Sequence, residues 1–454
     1  MPGNLSFDDL KARAESGEID TVIVAAPDMQ GRLVGKRFTA SHFIASAHEE
    51  THCCNYLLAT DLEMETVQGY AATSWEKGYG DYAMKPDMAT LRLTPWAPGA
   101  AMVLADFTDH HGELIAHAPR TVLKRQIERL QALGFSMAAA TELEFFVFRE
   151  SFEALSDSAY RPLTPISAFN EDYQIFQSAK EEGLMRAIRN GLCGAGVPVE
   201  NTKGEADAGQ AEVNVRYSDA LDTADNHVII KGAVKEIAQT EGRAVTFMAK
   251  WSHSAAGSSS HVHQSLIDAS GAPAFYDAAA PHGMSALMRS YVAGLLAHAR
   301  EGALFLAPYV NSYKRFTVGM FAPTQAIWSM DNRTAGFRVV GEGTKAVRVE
   351  CRVGGADLNP YLAIASQLAA GIAGIEAGLE LEPAFTGDAY AAAETQAIPS
   401  TLREAIAALD GSAMFRAAMG DAVVEHYLHA ARWEQGEFDS KVTDYEVSRG
   451  FERA

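Results

Sequence analysis

The sequence predicts an α+β protein of two domains, a small sheet-rich unit over residues 1–113 and a larger mixed unit over residues 114–454. Three observations carry this. A chain of 454 residues is too long for one ordinary core. The strand-like segments of the first hundred residues come without a long helix between them. From His117 onward, strongly amphipathic helices alternate with apolar strands.

In chain order, Ser6 caps a short helix through Phe7 and Leu10 to about Ala14. A strand over Ile19–Ala26 turns at Asp28-Met29-Gln30-Gly31 into a second over Arg32–Arg37. Thr90–Trp96 and Ala101–Phe107 read as strands around the Pro98-Gly99 turn. His117-Ala118-Pro119-Arg120 opens a helix with Val122, Leu123, Ile127, Leu130 and Leu133 on one stripe, and Gly134 stops it. Further helices are predicted at Glu182–Ala195, Thr223–Thr240, Met284–Arg300 and Pro360–Gly378, the last with Asn359 as cap and Pro360 in its first turn. Strands are predicted at Met137–Phe148, Ala211–Tyr217, Ala244–Trp251, Ser260–Ile267, Phe337–Val340 and Ala346–Val353. The last eighty or so residues read as helices packed on the second domain.

Composition narrows the function classes. Hydrophobic residues make up 48% and charged residues 21%, as in ordinary globular chains. A formal net charge of −20 disfavours nucleic acid and anionic membranes as partners. The opening residues lack the apolar core of a signal peptide. The apolar stretch Tyr361–Gly378 carries Gln367 and Glu376 and reads as a buried helix rather than a membrane span. The four cysteines form no Cys-x-x-Cys, which excludes a thiolate zinc site and points to a reduced, cytoplasmic compartment.

Several short patterns carry chemistry. On a strand, Glu142 and Glu144 of Thr-Glu-Leu-Glu-Phe-Phe-Val-Phe point to one side. Paired carboxylates in an apolar setting repel and lose solvation, and a cation removes both costs; a solvated strand face is the alternative. Gly204 to Glu212 supplies Glu205 and Glu212 around a glycine-permitted loop, and taken alone reads as a plain acidic loop. Gly257-Ser-Ser-Ser-His261-Val-His263-Gln-Ser265 leads small residues into a strand with two histidines on one face, a metal pair or a hydrogen-bonded pair. Asn-Ser-Tyr-Lys-Arg315, Arg333 and Arg338 follow, then Arg348-Val-Glu350-Cys-Arg352, which alone fits a cross-strand salt-bridge ladder. Together, five glutamates and a histidine make an oxygen-rich set suited to magnesium or manganese. The arginines add positive charge for phosphates and carboxylates, the combination phosphoryl transfer requires. No Walker-type loop is present.

These six motifs, in this order and spread over essentially the whole chain, resemble the glutamine synthetase family. The resemblance implies a small N-terminal β-grasp-like domain followed by a large glutamine-synthetase-type catalytic domain. It implies a homo-oligomer, a dodecamer of two stacked hexameric rings with active sites between subunits. It implies ATP as co-substrate with two or three Mg2+ or Mn2+ ions per site. Glu144, Glu205 and Glu212 would hold one ion, and Glu142, His261 and Glu350 another. Tyr217, His263, Ser265, Arg333, Arg338 and Arg348 would contact the nucleotide. Gly257, Arg315 and Arg352 would hold glutamate. Glu205, Arg315 and Arg338 would take part in catalysis, in which the γ-phosphoryl group passes to the glutamate side chain before an amine displaces it.

Departures from the family pattern concern the amine. Ammonia-using members carry a flap glutamate where this chain has Phe321. Where they carry Phe-Asp-Gly-Ser-Ser in the neighbouring subunit's loop, this chain has Val67-Gln-Gly-Tyr70-Ala. With those carboxylates absent, Phe321, Tyr173 and Tyr70 are expected to wall a pocket for an alkylamine, taking cation–π contact from its ammonium. The expected substrate is methylamine, giving γ-glutamylmethylamide, in the manner of glutamate–methylamine ligases. Polyamines, other amines and ammonia are the alternatives. A non-catalytic ring protein would have shed metal ligands, and a metal-dependent amidohydrolase would need more histidines.

Overall fold

In a computed structural model, residues 3–392 and 395–454 are described, so the first two residues of the polar opening segment lie outside it. Ser6 does cap the first helix, Phe7–Glu15, accepting from the amide of Asp9. The N-terminal strands are β1 (Thr21–Pro27), β2 (Leu33–Thr39), β3 (Thr51–Cys54), β4 (Asp81–Pro86), β5 (Arg92–Leu93) and β6 (Ala100–Thr108). They form one sheet in the order β2-β1-β6-β4-β3, with β5 on β6. Val22, Val24, Ala101, Val103 and Ala105 face the core from its centre.

The larger sheet holds nine strands: β7 (Phe135–Phe148), β8 (Val199–Gly204), β9 (Gln210–Val215), β10 (Ser218–Asp219), β11 (Ala244–Thr246), β12 (Val262–Asp268), β13 (Trp328–Met330), β14 (Phe337–Val340) and β15 (Arg348–Cys351). Its order is β13-β14-β15-β12-β7-β9-β8, with β10 and β11 also on β7. Helices cover its back. Pro360–Ala377, capped by Asn359, is buried almost throughout because it packs between Ala286–Ala297, Pro119–Ala132 and Ala220–Thr240. Its approach to Ala286–Ala297 is close. A Cβ on Gly374 would stand 2.2 Å from the carbonyl of Ser290, and one on Gly294 would stand 2.2 Å from that of Ala370. Among the described residues no helix is long and apolar enough to cross a membrane.

Arg120 ties the two sheets together. Buried at the start of helix Pro119–Ala132, it donates to Asp106 of β6 at 2.8 Å, to Asp87 at 2.7 Å and to Asp225 of helix Ala220–Thr240 at 3.0 Å.

Several predicted strands are shorter than the patterns indicate, Ala346–Val353 keeping only Arg348–Cys351, and two lose most of their length. Thr90–Trp96 keeps only β5, because its polar groups turn elsewhere: Arg92 is buried and bonds to Asn226 and to the carbonyl of Thr90, and Thr94 bonds to Ala100. Ala244–Trp251 keeps only β11, since beyond it the Lys250 amide leaves the ladder for Asn311. Strands β3, β4 and β8 are not predicted. Strand β8 is a partly exposed edge whose residues lack an apolar alternation.

Candidate active site

The site is one face of the nine-stranded sheet, assembled by register. Glu142 pairs with Asn214 and Glu144 with Glu212 across β7 and β9. Glu212 pairs in turn with Lys203 of β8. On the other side of β7, His263 of β12 pairs with Glu350 of β15, and Glu350 with Arg338 of β14. Since i and i+2 on a strand share a face, Lys203 and Glu205, Glu142 and Glu144, and Glu350 and Arg352 fall into rows on the same surface.

The rows hold two carboxylate groups. In the first, ligand atoms of Glu144, Glu205 and Glu212 all lie within 4.8 Å of one another. Glu144 accepts from the Ser259 amide at 2.7 Å and from its hydroxyl at 2.6 Å. Burial and the neighbouring Glu205 push its carboxyl up to about 7. Burial together with Glu142, Glu144 and Glu205 pushes Glu212 up to about 9. The Lys203 ammonium is ion-paired with Glu205.

In the second group, Glu142, His263 and Glu350 bring ligand atoms within the same 4.8 Å. His261 belongs here too, its Nδ1 being 2.7 Å from Glu142 and 3.3 Å from Glu350. His263 Nε2 is 3.0 Å from Glu142, so the geometry admits both histidines where the motif implies only His261. Burial opposes ionisation of Glu350, but His261 and Arg352 hold its carboxyl down at about 2. Burial and Arg352 lower the His261 imidazole, against the pull of Glu142 and Glu350.

Arginines border this face. Arg338 donates to Glu350 at 3.0 Å and Arg352 donates to it at 2.5 Å. Arg315 is buried, with one guanidinium nitrogen spread over the carbonyls of Arg352, Val353 and Gly354, and its Nε has no partner. Gly257 makes room for it, since a Cβ there would stand 2.3 Å from Arg315 Cγ.

Two cavities open on the sheet. One of about 450 Å3 is lined by Glu144, Glu205 and Glu212, by Glu142 and His261 of the second group, and by Gly257, Arg315, Arg333, Arg338, Arg352, Tyr173 and Phe321. The other, of about 570 Å3, is lined by Glu142, Tyr217, His263, Ser265 and Arg348. Tyr173 and Phe321 are exposed rim residues with φ of 55° and 54°, a left-handed backbone rare for bulky side chains and characteristic of functional sites.

Tyr70 does not join them. It is 4% exposed, its ring tilted at 4.4 Å against His426 and edge-on at 4.5 Å to His429, and it lines a different crevice with Met29 and Trp433. Within one chain it stands apart from the Phe321 cavity, and its loop is the one expected to reach a neighbouring subunit's site. Sequence motifs also passed over Lys203, Asn214, Gln210 and Ser259. The alternation Asn201-x-Lys203-x-Glu205 is the signal that could have found Lys203.

Residues 116–450 match the family described as glutamine synthetase, catalytic domain. The chain belongs to the glutamine synthetase family. Members of the family are ATP-dependent carbon–nitrogen ligases that use divalent metal ions. Among relatives, a γ-glutamylethanolamide synthetase, GlnA4 of Streptomyces coelicolor, is 48% identical over 99% of this chain and 96% of its own. A glutamate–isopropylamine ligase of a Pseudomonas species is 36% identical over 96% and 95%. A solved structure titled "Apo GmaS without ligand" superimposes with a TM-score of 0.85 at 26% identity, covering 98% of this chain and 99% of that one. The donor set fits the family's ions: it is oxygen-rich, and the raised carboxyls of Glu144 and Glu212 show charge that a cation would relieve.

Proposed function

We propose that this glutamine synthetase family member joins the γ-carboxylate of glutamate to a small primary alkylamine, with cleavage of ATP to ADP and phosphate. The observation that carries the reading is the pair of carboxylate groups side by side on one sheet face, with Arg315, Arg333, Arg338 and Arg352 lining the cavity beside them. Ethanolamine is the favoured amine, in line with the relative 48% identical over nearly the full chain, and methylamine comes next. The exposed aromatic Phe321, in the place of a flap carboxylate, supports an alkyl-bearing nucleophile over ammonia.

Two or three Mg2+ or Mn2+ ions held by Glu144, Glu205 and Glu212 and by Glu142, His261, His263 and Glu350 would supply neutralisation of the phosphate oxygens. The chain's own groups do the rest. Tyr217, His263, Ser265 and Arg348 line the cavity assigned to nucleotide, and Arg333 and Arg338 flank the transferring phosphoryl group. Arg315, pinned by three carbonyls, presents its unpartnered Nε to the glutamate carboxylate beside Gly257 and Arg352. Glu205 takes the proton from the alkylammonium, which is the form present at neutral pH. Exposed Trp75, Ile175 and Phe176 are 72–82% accessible in one chain, which supports contacts between subunits in stacked hexameric rings.

Phosphate release with ATP, glutamate and Mg2+ tests this. The expected order is ethanolamine, then methylamine, then ammonia. Ammonia outperforming every alkylamine would overturn the amine assignment, and no amine-dependent turnover would overturn the ligase reading.

A further inference from the structure

Among the described residues, Lys203 is the one lysine lining the cavity that holds Glu144, Glu205 and Glu212. It stands on the edge strand β8, opposite Glu212 and two residues before Glu205, so the backbone aims it at the site. Its side chain is 17% accessible. Three neighbours surround its ammonium: Glu205 as an ion pair, Asp172 at 3.4 Å, and the ring of Tyr173 at 4.4 Å from Nζ to centroid. Glu205 and Tyr173 are the groups assigned above to receive the amine. A permanent positive charge therefore already sits where the substrate's nitrogen must arrive.

We propose that Lys203 is a specificity-determining residue that confines the amine to monocations, admitting amino alcohols and alkylamines and rejecting diamines and polyamines. The proposal rests on the amine-ligase reading above. A substrate brings one ammonium, which gives up its proton to react. A diamine brings a second cation that does not, and at contact range like charges in a partly buried cavity repel strongly. Asp172 is the carboxylate beside Lys203 not assigned to metal, and Lys203 already faces it. Carboxylates engaged by divalent ions leave the tail of a diamine without a counter-charge. A hydroxyl tail meets no such cost, because it can accept a hydrogen bond from the Lys203 ammonium. Discrimination by an unmatched charge is built against the wrong substrate rather than for the right one.

The experiment compares kcat/KM for ethanolamine, propylamine and putrescine in the full chain, as wild type, Lys203→Met and Lys203→Arg. Calorimetry of the same amines, with glutamate and a non-hydrolysable ATP analogue present, reads binding apart from turnover. In wild type, putrescine is expected to trail ethanolamine by about tenfold or more, and its binding heat should be absent. Lys203→Met should narrow that ratio by about tenfold, and Lys203→Arg should preserve it. Putrescine matching ethanolamine in wild type, or a ratio unmoved in Lys203→Met, overturns the proposal. Should Lys203→Met fail to fold or turn over, the wild-type comparison and calorimetry of Lys203→Gln decide in the same terms. If wild type accepts ammonia and no alkylamine, the amine-ligase reading fails, and the role of Lys203 falls with it.

Discussion

Glu144 and Glu212 face each other across one rung of β7 and β9, and neither carboxyl keeps its ordinary acidity: burial and like charge raise them to about 7 and about 9 from 4.5. A raised carboxyl means the folded chain binds more protons than the unfolded one between those values. Stability without metal is therefore present in full below pH 4.5 and is lost as pH rises toward 9. Divalent ions need the deprotonated groups, so their binding strengthens over the same interval. The increase in melting temperature on adding Mn2+ should be larger at pH 9 than at pH 6, as differential scanning fluorimetry can measure. An increment that shrinks with pH would contradict the proton–metal competition. At the rim, Phe321→Glu restores a carboxylate where ammonia-using relatives have one. Its kcat/KM for ammonia relative to ethanolamine should rise by about tenfold or more, the scale on which one charged group discriminates. Phe321 already holds φ of 54°, a conformation its ring does not favour, so the change adds little backbone cost.

At the scale of elements, strand alternation did most of the positioning. Glu142 and Glu144 were legible as a same-face pair because β7 is long and its tail is apolar. The two histidines and the Arg-x-Glu-x-Arg triplet were legible for the same reason, since β12 and β15 keep a period of two. Strand β8 was not legible. An edge strand with both faces partly wet shows no apolar alternation, so the residue it aims into the site, Lys203, was hidden with it. The packing of Tyr70 against His426 and His429 was not legible, because a loop alignment says nothing about its surroundings within the chain. Gly257 carries an element-level prediction. In Gly257→Ala the new methyl meets Arg315 Cγ at 2.3 Å, so Arg315 must shift. KM for glutamate should rise by about tenfold while KM for ATP changes little, because displacement of about 1 Å can cost far more than contact area alone indicates. Helix packing offers another test. In Gly374→Ala the Cβ would stand 2.2 Å from a backbone carbonyl that cannot rotate away, and stability should fall by about 1–3 kcal/mol in a denaturant titration.

For the whole molecule, one buried guanidinium joins the N-terminal sheet to the catalytic part. Arg120 answers Asp87, Asp106 and Asp225 together, and its removal takes the ion pair from the buried Asp225 while Asp106 keeps Lys124. Arg120→Met should lower stability by about 3–5 kcal/mol, seen as a loss of cooperativity between the two parts in thermal unfolding. A variant melting like the parent would show that the apolar contacts alone hold the sheets together.

Strand β8 enters its ladder with an irregularity: Val199 faces Val215, yet Asn201, two positions on, faces Asn214. Glu200 is thus the surplus residue, and the half-twist it introduces is what turns Asn201 and Lys203 toward the chemistry. Without Glu200 the ladder would be continuous, and either Val199 or the pair Asn201 and Lys203 would turn to the opposite face of the sheet.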